Sequence, residues 1–143
     1  MRRQPEYALA LIRVAVGMVF AWHGFHKIFE LGLGNVTAAY QLSGVPLPLL
    51  FAPLAAVLEL VGGPLLALGL GARGLAGTLA LITASVTLAP LLSGRLSLAA
   101  LEVPLLLLVG SLAVMVGGPG SPALKDRSGA VRPPVRVAGR KRG

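Results

Sequence analysis

Four apolar runs, near Tyr7 to Phe29, Leu49 to Leu70, Leu75 to Leu92 and Leu96 to Val116, constrain this chain more than anything else in it. Each approaches the roughly 20 residues that cross about 30 Å of hydrocarbon. Lipid offers no hydrogen bonds to a backbone, so only helices and closed barrels span it. None of the runs shows the two-residue alternation of a barrel strand. The expected fold is therefore all-α, a four-transmembrane-helix antiparallel bundle. Composition agrees: 55% of the residues are hydrophobic, 13% are charged and the mean hydropathy is +0.82, too apolar for an ordinary soluble domain.

The first run follows Arg2 and Arg3, as a secretory signal would, but it is long and holds Arg13 inside it, so it reads as a retained helix. The basic residues divide unevenly. Arg2, Arg3, Arg73 and seven residues from Lys125 to Arg142 fall on one side of the spans, whereas Lys27 and Arg95 fall on the other. The positive-inside rule then expects both termini in the cytoplasm. Residues 1–6 form an N-terminal extension, residues 7–120 the transmembrane domain and residues 121–143 a basic tail.

That tail supplies most of the net charge of +8 and is rich in proline and glycine, so it has nothing with which to build a core. Without interleaved aromatics it reads as a segment that sets topology and touches anionic lipid, not as a nucleic-acid binder. The absence of cysteine excludes disulfides, thiol relays, iron–sulfur ligation and covalent haem attachment by this chain. The two histidines, His23 and His26, share one helix, so two opposed axial haem ligands are not available. A metal site from His23, Glu59 and Glu102 is geometrically conceivable, but ligand identity alone supports it weakly and no metal is expected.

Function must lie with the chargeable residues in or beside the spans: Arg13, His23, Lys27, Glu59, Arg73 and Glu102. Such groups are costly in lipid and face a bundle interior or a polar cavity. Counting about 1.5 Å of rise per residue gives a polar seam. Lys27, His23 and Glu102 lie toward the outside, Glu59 near the midplane and Arg13 below it. An unpaired Glu59 in such a site would favour its neutral form and be able to donate a proton. The plain alternative is that these groups form internal ion pairs and hydrogen bonds that fix helix register.

Between the first two runs, the stretch from Leu31 to Pro48 carries Gly32, Gly34, Asn35, Ser43, Gly44, Pro46 and Pro48, with Tyr40 and Gln41 in apolar surroundings; a short interfacial helix fits there. The other links are short, which favours antiparallel neighbours. Ala76, Ala80 and Ala84 offer a small face for close helix contact. Gly62, Gly63 and Pro64, together with Pro104, are expected to loosen helix hydrogen bonding near two buried glutamates.

Arg13 followed by Gly17, then the stretch from Phe20 to Lys27, resembles the first-helix signature of the DoxX family of small bacterial membrane proteins. Glu59-Leu60-Val61-Gly62-Gly63, the stretch Leu68 to Leu70 with Arg73, and Glu102-Val103-Pro104 before a leucine run ending in Gly118-Pro119-Gly120 are similar to that family's pattern too. The match covers roughly residues 9 to 126 in order. The resemblance implies a four-helix inner-membrane protein, related more distantly to the DoxD subunit of thiosulfate:quinone oxidoreductase and to components of redox-stress complexes.

Two main functional readings follow. In one, the chain is a non-catalytic subunit or scaffold of a membrane redox or oxidative-stress assembly, with protein partners or further copies of itself. In the other it binds a quinone, with His23, Glu59 and Glu102 as the proton or quinone site and Arg13, Lys27, Trp22 and Arg73 holding the ligand. A small proton-coupled transporter is a third reading, which four helices without an inverted repeat support poorly.

Overall fold

A computed structural model describes residues 4–124, and it is all-helical with no strand among them. Helix α1 spans Gln4–Phe25 and runs on without a break into a wider π-helical turn, His26–Leu31. A short helix α2, Leu33–Leu42, follows. Helices α3 (Pro48–Leu68), α4 (Ala72–Leu92) and α5 (Leu98–Gly117) complete the bundle. Four helices are long and apolar enough to cross a membrane. The sequence places all four, and α2 occupies the loop where a short interfacial helix was expected.

Local chemistry explains the boundaries. Pro48 opens α3 at a position where its missing N–H costs nothing. At the other end Gly69, at φ 81°, closes the helix, with Gly69 N–H donating to Leu66 O and Leu70 N–H to Leu65 O. Gly71, at φ 59°, then turns the chain so tightly that α4 restarts at Ala72, three residues before the start expected from hydropathy, which is delayed by Arg73 and Gly74. Ser97 caps α5, its hydroxyl accepting from Ala100 N–H at 3.2 Å. Within the helices Thr37, Thr78, Thr83 and Ser85 donate to the carbonyl four residues back, which hides their polarity inside their own helix.

The four long helices close a ring in which α1 packs on α3, α3 on α4, α4 on α5 and α5 on α1, while α2 lies against α3 and the π-helical turn. The apolar core draws on all four, with Phe20, Leu66, Leu79 and Val114 among its largest fully buried side chains. Ala76 and Ala80 are buried as expected, whereas Ala84 lines a groove beside α5.

The most extensive contact is α1 on α3, and glycine makes it possible. A Cβ on Gly17 would lie 2.5 Å from Gly63 O and 2.7 Å from Ala67 N. One on Gly63 would lie 2.5 Å from Ala21 N, and one on Gly24 would overlap the backbone of Leu60. Backbone therefore meets backbone along this crossing, the arrangement that small residues permit in lipid. Gly62 and Gly63 thus serve helix contact: Gly62 faces Leu75 and Leu79, and Gly63 faces α1.

Candidate functional site

The site with the greatest concentration of buried polar chemistry joins the π-helical turn, α2 and α3. Glu59 projects from the middle of α3 and is 4% exposed. Lys27 Nζ donates to its Oε1 and Oε2, each at 2.7 Å, and to Tyr40 Oη at 3.2 Å. The ammonium also stands 5.8 Å from the centre of the Tyr40 ring. A lysine has three N–H donors, and here they face three oxygens, which makes the pair compatible with burial. Burial pushes the Tyr40 phenol above its ordinary value, while the Lys27 ammonium acts in the opposite direction.

Lys27 occupies the wider turn, where π-helical geometry changes the rotation about the helix axis. Its side chain meets α3 and not the carboxyl group of α5. This corrects the expected seam in which Lys27, His23 and Glu102 together form its outer part. Glu102 is exposed on α5 and has no hydrogen bond or ion pair among the described residues. Of the two glutamates expected to be buried, only Glu59 is.

Arg13 lies below Glu59, as expected, but shares no polar contact with it. It is 3% exposed and its partners are backbone carbonyls. Nε donates to Ala67 O at 3.2 Å, Nη2 to Pro122 O at 2.7 Å and Nη1 to Pro119 O. The guanidinium thus joins α1, the last turn of α3 and the segment after α5. That segment crosses the end of the bundle: Ser121 N–H donates to Glu6 O, and Leu124 N–H to Leu68 O. Gly120, at φ 67°, fits because a Cβ there would run into the backbone of Glu6 and Ala10. Residues 121–124, read from sequence as the start of the tail, are therefore hydrogen-bonded to the bundle, and the rest of the tail lies outside the described residues, as do Arg2 and Arg3.

The remaining candidates stand apart from the Lys27–Glu59 pair. His23 is half-buried and makes no hydrogen bond among the described residues. Its neighbour His26 meets Glu30 instead, Nδ1 to Oε2 at 2.6 Å, at an exposed position. Trp22 is 60% exposed and stacks on Phe25 with ring centres 6.2 Å apart, and Phe25 continues to Phe29 at 4.9 Å. Such an outward aromatic row suits a membrane interface. Arg73 is exposed, with its guanidinium beside Gly118. His23, Glu59 and Glu102 are not brought together, and no group of three His, Cys, Asp or Glu among the described residues is placed to hold a metal ion.

Sequence reading missed Tyr40 as a member of the site. Its signal was present: a lone tyrosine in a turn-rich stretch between two spans, opposite a lysine that ends the first span. Arg13's carbonyl partners carried no such signal, since every residue offers a carbonyl.

No curated protein and no solved structure matches the chain. A family model, DoxX, matches residues 8–92, more than half of the sequence. Together with the four spanning helices, this match makes the chain a membrane protein that belongs to the DoxX family.

Proposed function

We propose that the chain is a non-catalytic subunit or scaffold of a membrane-associated redox or oxidative-stress assembly, seated in the bacterial inner membrane with both termini in the cytoplasm. The observation that carries this reading is how the buried charges are used. Lys27 and Glu59 satisfy each other, and Arg13 is taken up by three carbonyls, so these groups hold helices together. A bundle stabilised in this way offers a rigid platform to a partner.

The test is native mass spectrometry of the full chain purified from its own membranes in mild detergent. Reproducible protein partners in stoichiometric amounts are the expected result. A stoichiometric quinone with no protein partner overturns the scaffold reading.

A second reading draws on the Tyr40 contact. An ammonium, a phenol and a carboxylate within hydrogen-bond reach form a set of donors and acceptors suited to a quinone oxygen and its proton. Glu59→Gln distinguishes the two. As a scaffold contact, its loss lowers thermal stability without changing bound small molecules. As part of a quinone site, its loss leaves folding intact and abolishes turnover.

A further inference from the structure

At the end of the bundle where α1 begins and α5 ends, a cavity of about 310 Å³ lies against α1, lined by Tyr7, Ala10, Leu11, Arg13, Val14 and Pro122. Tyr7, Leu11 and Val14 are spaced four and three residues apart, which sets them in one row along the helix, and all three are exposed. The cavity therefore opens sideways, toward lipid. Among its lining side chains only those of Tyr7 and Arg13 are polar, and six residues at 1.5 Å each put the two about 9 Å apart along the helix.

The Arg13 guanidinium is 3% exposed and carries its charge throughout the working range of proteins. Three of its five N–H groups go to the carbonyls of Ala67, Pro119 and Pro122, which leaves one on each terminal nitrogen. Carbonyls answer the hydrogen bonds but not the charge. The ion pairs among the described residues are His26–Glu30 and Lys27–Glu59, so none of them neutralises Arg13. A cation buried without an anion is costly, and an anion that reaches the remaining N–H groups relieves that cost.

Depth narrows the choice of anion. Ala67 lies in the last turn of α3 and Pro119 just past α5, so Arg13, which bonds both, stands where the spans end. The polar headgroup layer of a bilayer begins at that level, and basic pockets between helices there hold anionic head groups. A phosphate at Arg13 leaves the head group between Arg13 and the Tyr7 hydroxyl, while an acyl chain runs inward past Val14 and Met18, both apolar and exposed. A zwitterionic lipid brings its own cation, whereas a lipid of net negative charge leaves its phosphate free to neutralise Arg13.

We propose that the cavity between Tyr7 and Pro122 is a binding site for one anionic phospholipid, with its phosphate paired to Arg13. This site has a fixed place in the bundle, unlike the diffuse attraction of a basic tail, and it holds or fails without the redox reading.

The test is native mass spectrometry of the full chain, delipidated in detergent and offered phosphatidylglycerol or phosphatidylcholine with the same acyl chains. The first phosphatidylglycerol is expected to bind at least about fivefold more tightly than phosphatidylcholine, the equivalent of roughly 1 kcal/mol for one basic residue near anionic lipid. Val14→Trp fills the cavity and keeps every basic residue, so it separates this site from the tail. It is expected to lower phosphatidylglycerol binding by that same factor with unchanged thermal unfolding in lipid-free detergent, while Leu106→Trp, exposed and away from the cavity, leaves binding as it was. Arg13→Gln repeats the loss; Val14→Trp alone decides if that variant, deprived of its three carbonyl contacts, does not fold. Equal binding of the two lipids, or phosphatidylglycerol binding that Val14→Trp leaves unchanged, overturns the proposal. Glycerol phosphate, which has the anion without the chains, is expected not to displace the lipid; displacement at equal concentration overturns a lipid site in favour of one for a free anion.

Discussion

Where α1 crosses α3, three glycines bring backbone onto backbone, and just beyond, an ion pair ties the π-helical turn that continues α1 to α3. Where α4 meets α5, leucine and proline side chains enclose a groove of about 230 Å³, lined by Thr83, Ala84, Thr87 and Leu88 on one side and Leu101, Pro104, Leu105 and Leu108 on the other. The first contact has no spare volume and the second has a good deal. Added atoms at Gly17, Gly24 or Gly63 therefore meet backbone, while the α4–α5 groove has room for a larger side chain.

The largest effect is expected from the ion pair. Glu59→Ala leaves the Lys27 ammonium buried without its acid, a loss on the order of 3–5 kcal/mol, measurable by denaturant unfolding in mixed micelles. Replacing both residues by leucine recovers most of that loss, because no charge is then left alone. A double variant as unstable as Glu59→Ala would show that the seam depends on the attraction itself.

Gly24→Val comes next. Its added Cβ alone overlaps the backbone of Leu60 and Ala56, and overpacking of this kind costs about 1–3 kcal/mol. Thermal unfolding checks it, and the same substitution at Gly74, where a Cβ meets open space, serves as the control.

Tyr40→Phe removes one acceptor from Lys27, at a cost of about 1 kcal/mol. It also alters behaviour at alkaline pH. The folded state keeps the phenol proton to a higher pH than the unfolded chain does, so this contribution is complete below pH 10.0, the ordinary tyrosine value, and is lost as pH rises through the folded value. The Phe variant lacks that part of the alkaline decline in a pH series of melting curves.

The smallest effect is expected in the groove, where Ala84→Leu changes stability by less than about 1 kcal/mol because the added carbons enter existing space. A loss there equal to that of Gly24→Val would erase the contrast between the two halves.

The four spans were legible because hydrocarbon thickness leaves little choice of helix length, and α2 was legible from its turn residues and Tyr40. The close crossing was written in the sequence as well. Gly17 and Ala21 on α1 match Gly63 and Ala67 on α3, each pair four apart, the same spacing as Ala76, Ala80 and Ala84 on α4. The side-chain partners were harder to foresee for a geometric reason. Counting residues gives depth along a helix but not rotation about it, and rotation turns Glu102 outward and Lys27 toward α3. The wider turn at His26–Leu31, which no hydropathy pattern announces, contributes to that rotation.

Arg13 has a consequence for the order in which the molecule is made. Synthesis delivers α1 to the membrane first, yet two of the three carbonyls that hold its guanidinium belong to Pro119 and Pro122, more than a hundred residues later. Until α5 is inserted and its trailing segment folds back, this cation has at most Ala67 for company. The end of the bundle is thus sealed by nearly the last described residues to emerge, and a chain released before them leaves the Arg13 charge without two of its three partners.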